Sequence, residues 1–262
     1  MKNINLNTRQ HQLQSINRLL DIMDDLRAKC PWDKKQTLES LRHLTIEEVY
    51  ELGDAILDGN MDEIKKELGD LLLHMVFYAK IGSETGDFDI GSVADSISDK
   101  LVERHPHIYG DFIAEDETAV KQNWEKLKLK EGNNSVLEGV PKSLPALVKA
   151  SRIQEKVSGV GFDWSSVEEV KAKLDEELKE LDREVQSGNK LLMEEEFGDV
   201  LFSMINYARF LNINPENALE KSNKKFMKRF QFIESKTTTE GKSISELTLE
   251  EMELYWQMAK MT

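Results

Sequence analysis

Apolar residues return every three or four positions along most of the chain, and the alternation of half-buried strands is scarce. Leu13, Ile16, Leu20, Met23 and Leu26 share this spacing and predict a first helix with one apolar stripe. CPWDKKQT interrupts it, with Pro31 as the break. A second helix is expected from about Thr37 to Leu57, stopping at Asp58-Gly59-Asn60. Asn60 with Glu63 reads as a capping box that opens a third helix, running to about Ile81. The later part of that helix, LLLHMVFYAKI, is apolar nearly all round and is expected to be buried. GSETGDFD is a loop, a fourth helix spans about Ile90 to Arg104 before His105-Pro106 ends it, and another surrounds Trp124.

The same pattern then begins again. Glu131 to Ser135, EGNNS, is the most linker-like stretch, and VPKSLP leads from it into a helix at Ala146 to Val157. SGVGFDW breaks that helix as CPWD breaks the first. Ser165 or Ser166 caps the next helix, Asn189 the one after, Asn214-Pro215 starts another, and Thr248 with Glu251 caps the last. The expected fold is all-α, with two tandem homologous helical-bundle domains at 1–135 and 136–262, joined near Glu131 to Lys142.

At the centre of each half stands one motif. ELGDLLLHMVFYAK from Glu67 and EFGDVLFSMINYAR from Glu196 agree at Glu, Gly, Asp, Leu, Met, Tyr, Ala and a closing base. EEVYE at Glu47 to Glu51 and EELKE at Glu176 to Glu180 precede them at equal offset. An acidic helix is ordinarily a solvated face, but these acids interrupt apolar stripes. Glu48 falls on the stripe of Leu41, Leu44, Leu52 and Ala55, with Glu51 flanking it. Glu177 interrupts the stripe of Val170, Leu174, Leu181 and Val185 in the same way. Glu67 and Asp70 border Ile64, Leu68, Leu71 and Met75. A charge on the core side is costly unless paired or metal-bound. Residues three apart share a helix side, so Glu48 with Glu51 and Glu67 with Asp70 form two pincers of hard oxygen donors suited to Mg²⁺ or Mn²⁺. Gly69 and Gly198 each cost a helix roughly 1 kcal/mol against Ala, which points to close backbone approach.

Composition narrows the partners. A formal net charge of −14 disfavours a nucleic-acid ligand, since duplex affinity rests on Lys and Arg neutralising phosphates. Cys30 is alone, so neither a disulfide framework nor a thiol-rich zinc site is expected, and a cytoplasmic setting is the simplest. The N-terminus lacks a signal-peptide core and no apolar run approaches the roughly 20 residues of a spanning helix, so no membrane partner is expected. A di-iron bundle would carry E-x-x-H; here the motif is E-x-x-D, and His74 lies four residues past Asp70. KSNKKFMKRF gathers Lys221, Lys224, Lys225, Lys228 and Arg229, the densest basic patch in an acidic chain.

E-E-x-x-E followed by E-x-x-D, doubled and accompanied by CPWD, RHPH, VPKSLPAL and VGFDW, resembles the MazG family of all-α nucleoside triphosphate pyrophosphohydrolases over nearly the whole chain. The resemblance implies hydrolysis of a nucleoside triphosphate to monophosphate and pyrophosphate, Mg²⁺ dependence and a homodimer. It implies Glu177, Glu180, Glu196 and Asp199 as metal ligands, with Glu48, Glu51, Glu67 and Asp70 their first-half counterparts. Lys173, Leu174, Asp175, Glu176 and Glu177 would line the nucleotide site. Lys225, Phe226, Met227, Lys228 and Arg229 would face the triphosphate and Trp256 the base, with Lys100, Arg104 and Trp124 their first-half counterparts. Glu176 would orient or deprotonate the water, while Lys225 and Arg229 stabilise phosphate charge. The first half departs at Asp99 and Glu103, where the second carries Lys224 and Lys228, so the main chemistry is expected in the second half. The competing reading is a non-catalytic nucleotide sensor or partner-binding protein that keeps the acidic site.

Overall fold

Local signals at the helix ends account for most of the architecture. In the computed structural model, which describes residues 8–110 and 135–261, two compact units appear: residues 8–110 belong to one and 135–261 to the other. The first unit contains α1 (Thr8–Lys29), α2 (Leu38–Asp58), α3 (Met61–Thr85), α4 (Ile90–Arg104) and the single turn α5 (Pro106–Tyr109). The second contains α6 (Ala146–Ser158), α7 (Val167–Ser187), α8 (Lys190–Phe210), α9 (Pro215–Thr239) and α10 (Leu249–Ala259). Among the described residues there is no strand, and no helix is long and apolar enough to cross a membrane. The expected helix around Trp124 and most of the expected linker lie outside the described residues.

Each unit is built on a helical hairpin. Thr37 and Ser40 form a reciprocal capping box that starts α2, and Gly59 ends it in the left-handed region at φ 66°. The next residue, Asn60, already caps α3 by accepting from the Asp62 and Glu63 amides. The second unit repeats the device: Ser166 caps α7, Gly188 ends it at φ 73°, and Asn189 caps α8. Each side-chain cap contributes about 1 kcal/mol, and the tight glycine–asparagine link leaves the following helix no course but back along its predecessor. In the first unit α1 and α4 pack on α3. In the second α6 packs on α8, α9 touches α6 and α8, and α10 packs on α9.

The first core is Met23, Leu41, Val76 and Phe77, with Leu19, Leu20, Leu44 and Ile81 packed around it. Several expected stripes turn outward instead. Leu13 and Ile16 of α1 are exposed. Leu68 and Met75 on α3 and Val185 on α7 are likewise exposed, so apolar spacing overstates their burial. On α3 an inward position is Glu67, at 2% exposure, while Leu68 beside it faces outward. Most of LLLHMVFYAKI is covered, with Met75 the exception.

Candidate active site

The two hairpins bring the acids together in the same way. In the first unit, oxygens of Glu48 on α2 and of Glu67 and Asp70 on α3 all lie within 4.8 Å of one another. In the second, Glu177 on α7 meets Glu196 and Asp199 on α8 within the same limit. Glu51 and Glu180 stand just outside these groups: Glu51 is exposed, and Glu180 accepts from Arg183 at 2.8 Å. They remain close enough to be felt. The Glu67 charge, followed by partial desolvation, raises the Glu51 pKa. Desolvation, then the charges of Glu180, Asp199 and Glu177, raises that of Glu196. Glu48 is raised by desolvation, then by Asp70, Glu51 and Glu67.

Carboxylates crowded like this call for a cation, and each cluster already attracts one from the chain. Lys66 Nζ lies 2.9 Å from Glu67 Oε1. Lys173 Nζ lies 2.9 Å from both Glu176 and Glu177, and these hydrogen bonds hold its pKa well above the ordinary lysine value. Glu67 Oε2 is buried with no hydrogen-bond partner among the described residues, an acceptor left without a donor. Three hard oxygens with an orphaned buried one among them fit a divalent cation that prefers oxygen ligands. Both acidic groups therefore have the chemistry of a metal site.

Other expected site residues fall in distinct places. Leu174 is buried under α7, at 3% exposure, so its side chain is core, while Asp175 pairs with Lys171 on the outer side. Arg229 lies over the Trp256 ring at 5.5 Å, and Phe226 meets the same ring at 5.0 Å. Lys225, Met227 and Lys228 are exposed on α9. Among the described residues, no hydrogen bond or ion pair joins Lys225 or Arg229 to the acids of α7 and α8. The structure thus gathers the acids with Lys173, and Arg229 with Trp256. Lys100 is exposed on α4 with Arg104 half-buried at its end, and Trp124 lies outside the described residues.

Gly69 and Gly198 do not meet the close approach expected of them. A Cβ built on either would find no described residue within 4 Å. The structure also adds residues that the motif alone passed over. A cavity of about 180 Å³ opens beside the second acidic cluster, with Trp164, Phe202, Ser203 and Asn206 in its wall. The signal was present in the repeat: Ser203 and Asn206 stand where the first copy has the larger rings of His74 and Phe77.

Comparison with known proteins bears directly on this geometry. The family model described as the MazG nucleotide pyrophosphohydrolase domain matches residues 36–109 and again 165–231, spans that hold the two hairpins. The chain belongs to the MazG family. A nucleoside triphosphate pyrophosphohydrolase of Escherichia coli K12 is 41% identical over 95% of this chain and 98% of its own. The MazG nucleoside triphosphate pyrophosphohydrolase/pyrophosphatase of Thermotoga maritima is 45% identical over 92% of this chain and 94% of its own. A Mycolicibacterium smegmatis nucleoside triphosphate pyrophosphohydrolase is 40% identical over 55% of this chain. The doubled match covers the hairpin of each unit.

Proposed function

We infer that this MazG-family chain hydrolyses nucleoside triphosphates to monophosphates and pyrophosphate. The observation that carries the reading is the meeting of Glu177, Glu196 and Asp199 beside Lys173 and a cavity, on the hairpin matched by the family model. The residues to hold Mg²⁺ are Glu177, Glu196 and Asp199, with Glu180 completing the set, and Mn²⁺ would suit the same oxygens. When bound, such an ion neutralises phosphate charge and makes water a better nucleophile near neutral pH. Glu176, adjacent to Glu177 and exposed, orients the attacking water. Lys173 supplies positive charge at the mouth of the cavity. Lys225 and Arg229 stabilise charge on the phosphate oxygens, and the exposure of α9 leaves Lys225 accessible to substrate.

The first unit, with Glu48, Glu67 and Asp70, is proposed as a cation site of secondary catalytic importance. We take the domains as 1–135 and 136–262. The working form is proposed as a cytoplasmic homodimer. Exposed Phe197 and Leu201 beside Gly198 on α8 support a partner surface.

The test is to incubate the chain with each common NTP and dNTP, with and without Mg²⁺, and follow pyrophosphate against orthophosphate. Metal-dependent pyrophosphate release is expected. Glu177→Gln and Asp199→Asn should abolish it while the helical circular-dichroism spectrum stays intact, and Glu48→Gln should leave most of it. Orthophosphate as the product, or full turnover in Glu177→Gln, refutes the reading.

A further inference from the structure

The acids are duplicated in the two units, but the charges that lead into them are not. In the first unit α3 approaches its cluster through Glu63-Ile64-Lys65-Lys66-Glu67, two acids against two bases. The second unit has Leu192-Met193-Glu194-Glu195-Glu196 in the same places, three acids and no base. Lys66 therefore stands where the second copy has Glu195, and the exchange reverses a charge beside the cluster.

Lys66 is placed to act on those acids. Its Nζ lies 2.9 Å from Glu67 Oε1 and 3.7 Å from Glu63 Oε2. Glu67 is buried, and its other oxygen, Oε2, has no hydrogen-bond partner among the described residues. One oxygen of the inward carboxylate thus holds a lysine of the chain while the other remains an open acceptor among Glu48 and Asp70. The reversed charge is felt across the hairpin. The Glu51 pKa, raised by the Glu67 charge and partial desolvation, is drawn back by Lys66. The Glu196 pKa, raised by desolvation and then by Glu180, Asp199 and Glu177, is pushed further the same way by Glu195. The second cluster has a lysine of its own, but Lys173 enters from α7, divides itself between Glu176 and Glu177, and lines the cavity. Its first-unit counterpart is Leu44. The side chain of Lys66 is mostly exposed, so its hold on Glu67 is weak enough to be exchanged.

We propose that Lys66 is an internal counter-cation of the first acidic site, holding the Glu67 carboxylate in competition with a divalent ion. The first site therefore fills at a higher cation concentration than the site of the second unit. A unit charge a few ångströms from a divalent ion changes its binding by about three- to tenfold at the dielectric of salty water. The first unit then responds to cation over a range in which the second is already filled. The proposal rests on the reading of the first unit as a cation site and adds to it the residue that sets its affinity.

Mn²⁺ binding to the full chain, followed by the electron paramagnetic resonance of the free ion, tests it. Glu177→Gln with Asp199→Asn silences the second site and leaves the first to be titrated; Glu48→Gln with Asp70→Asn does the reverse. With Lys66 in place, the first site should bind Mn²⁺ more weakly than the second. In the chain whose second site is silenced, Lys66→Gln should tighten binding about threefold and Lys66→Glu, which copies the second unit, at least about tenfold. Lys65→Glu makes the same change of charge two residues from Glu67, on another side of α3, and should shift affinity by less than about twofold. Slower hydrogen exchange of the α2 and α3 amides in Mn²⁺ should locate the binding. Lys66→Gln, neutral and at an exposed position, keeps the comparison if the added acid of Lys66→Glu unfolds the unit. No gain in either Lys66 variant, an equal gain from Lys65→Glu, or a first site tighter than the second overturns the proposal. No Mn²⁺ uptake by the first unit, with Lys66 or with any replacement, would instead overturn the cation-site reading itself.

Discussion

Glu67→Gln offers a direct test of what the buried acids do. Oxygens of Glu48, Glu67 and Asp70 lie within 4.8 Å of one another. Two full charges at that separation repel by about 3.5 kcal/mol at an effective dielectric near 20. Lys66 approaches Glu67 at 2.9 Å, but it is 61% exposed, so the pair offsets only about 1 kcal/mol or less. The orphaned Oε2 adds a desolvation cost of about 1–3 kcal/mol. Replacing the carboxylate by a neutral amide of the same shape should therefore stabilise the cation-free first unit by about 1–3 kcal/mol. For a unit near 100 residues, each 1 kcal/mol raises the melting temperature by about 4–8 °C. Magnesium at a hundred times its dissociation constant should stabilise the wild type by about 2.7 kcal/mol, and the variant far less. The order of stability should thus invert: variant above wild type in EDTA, wild type level with or above variant in Mg²⁺. Thermal melts, with hydrogen exchange of the α2 and α3 amides to localise the change, decide it. A variant less stable than wild type in EDTA would refute the reasoning, since it would make Glu67 a structural carboxylate.

His74 gives a pH signature. Burial holds its pKa below the ordinary value, with the Asp70 charge opposing, so below about pH 6.5 the unfolded chain takes up a proton that the folded first unit resists. Stability should fall as pH drops from 7.5 to 5.5, measured as a urea midpoint, and His74→Asn should remove most of that slope. Asp163→Asn should cost the second unit about 2 kcal/mol in denaturant unfolding by breaking a charge-assisted fork to Arg209. Although burial raises the Asp163 pKa, hydrogen bonds from Arg209 and Ser158 outweigh it and hold the carboxyl below its usual range. That contribution is complete above about pH 4 and disappears as acid protonates the folded carboxyl. Gly198→Ala should raise the unfolding free energy by up to about 1 kcal/mol in a denaturant titration, because a methyl there meets no described residue within 4 Å. A fall instead, accompanied by a lower sedimentation coefficient, would show a second copy pressed against that helix.

By itself the sequence determined the helices, most of their ends and the doubled acids; α3 runs on to Thr85, one turn past the expected end at Ile81 and into the expected loop. Those features are local: Thr37, Asn60, Ser166 and Asn189 cap their own helices, Gly59 and Gly188 end theirs, and acids three residues apart share a helix side wherever that helix lies. Boundaries such as Ile90 to Arg104 could be read to the residue for that reason. Burial could not, because a stripe is buried only where another element covers it. Leu13, Leu68 and Val185 have the right spacing and are exposed, while Glu67 beside Leu68 lies inward. Tertiary structure alone decided which acids meet, leaving Glu51 and Glu180 beside the groups, and set Arg229 against Trp256. It also decided where the repeat ceases to be one. His74 and Phe77 against Ser203 and Asn206 are two of several differences between the copies. Only packing shows that the first pair fills a core and the second opens a cavity, because a void depends on the volumes of every side chain around it.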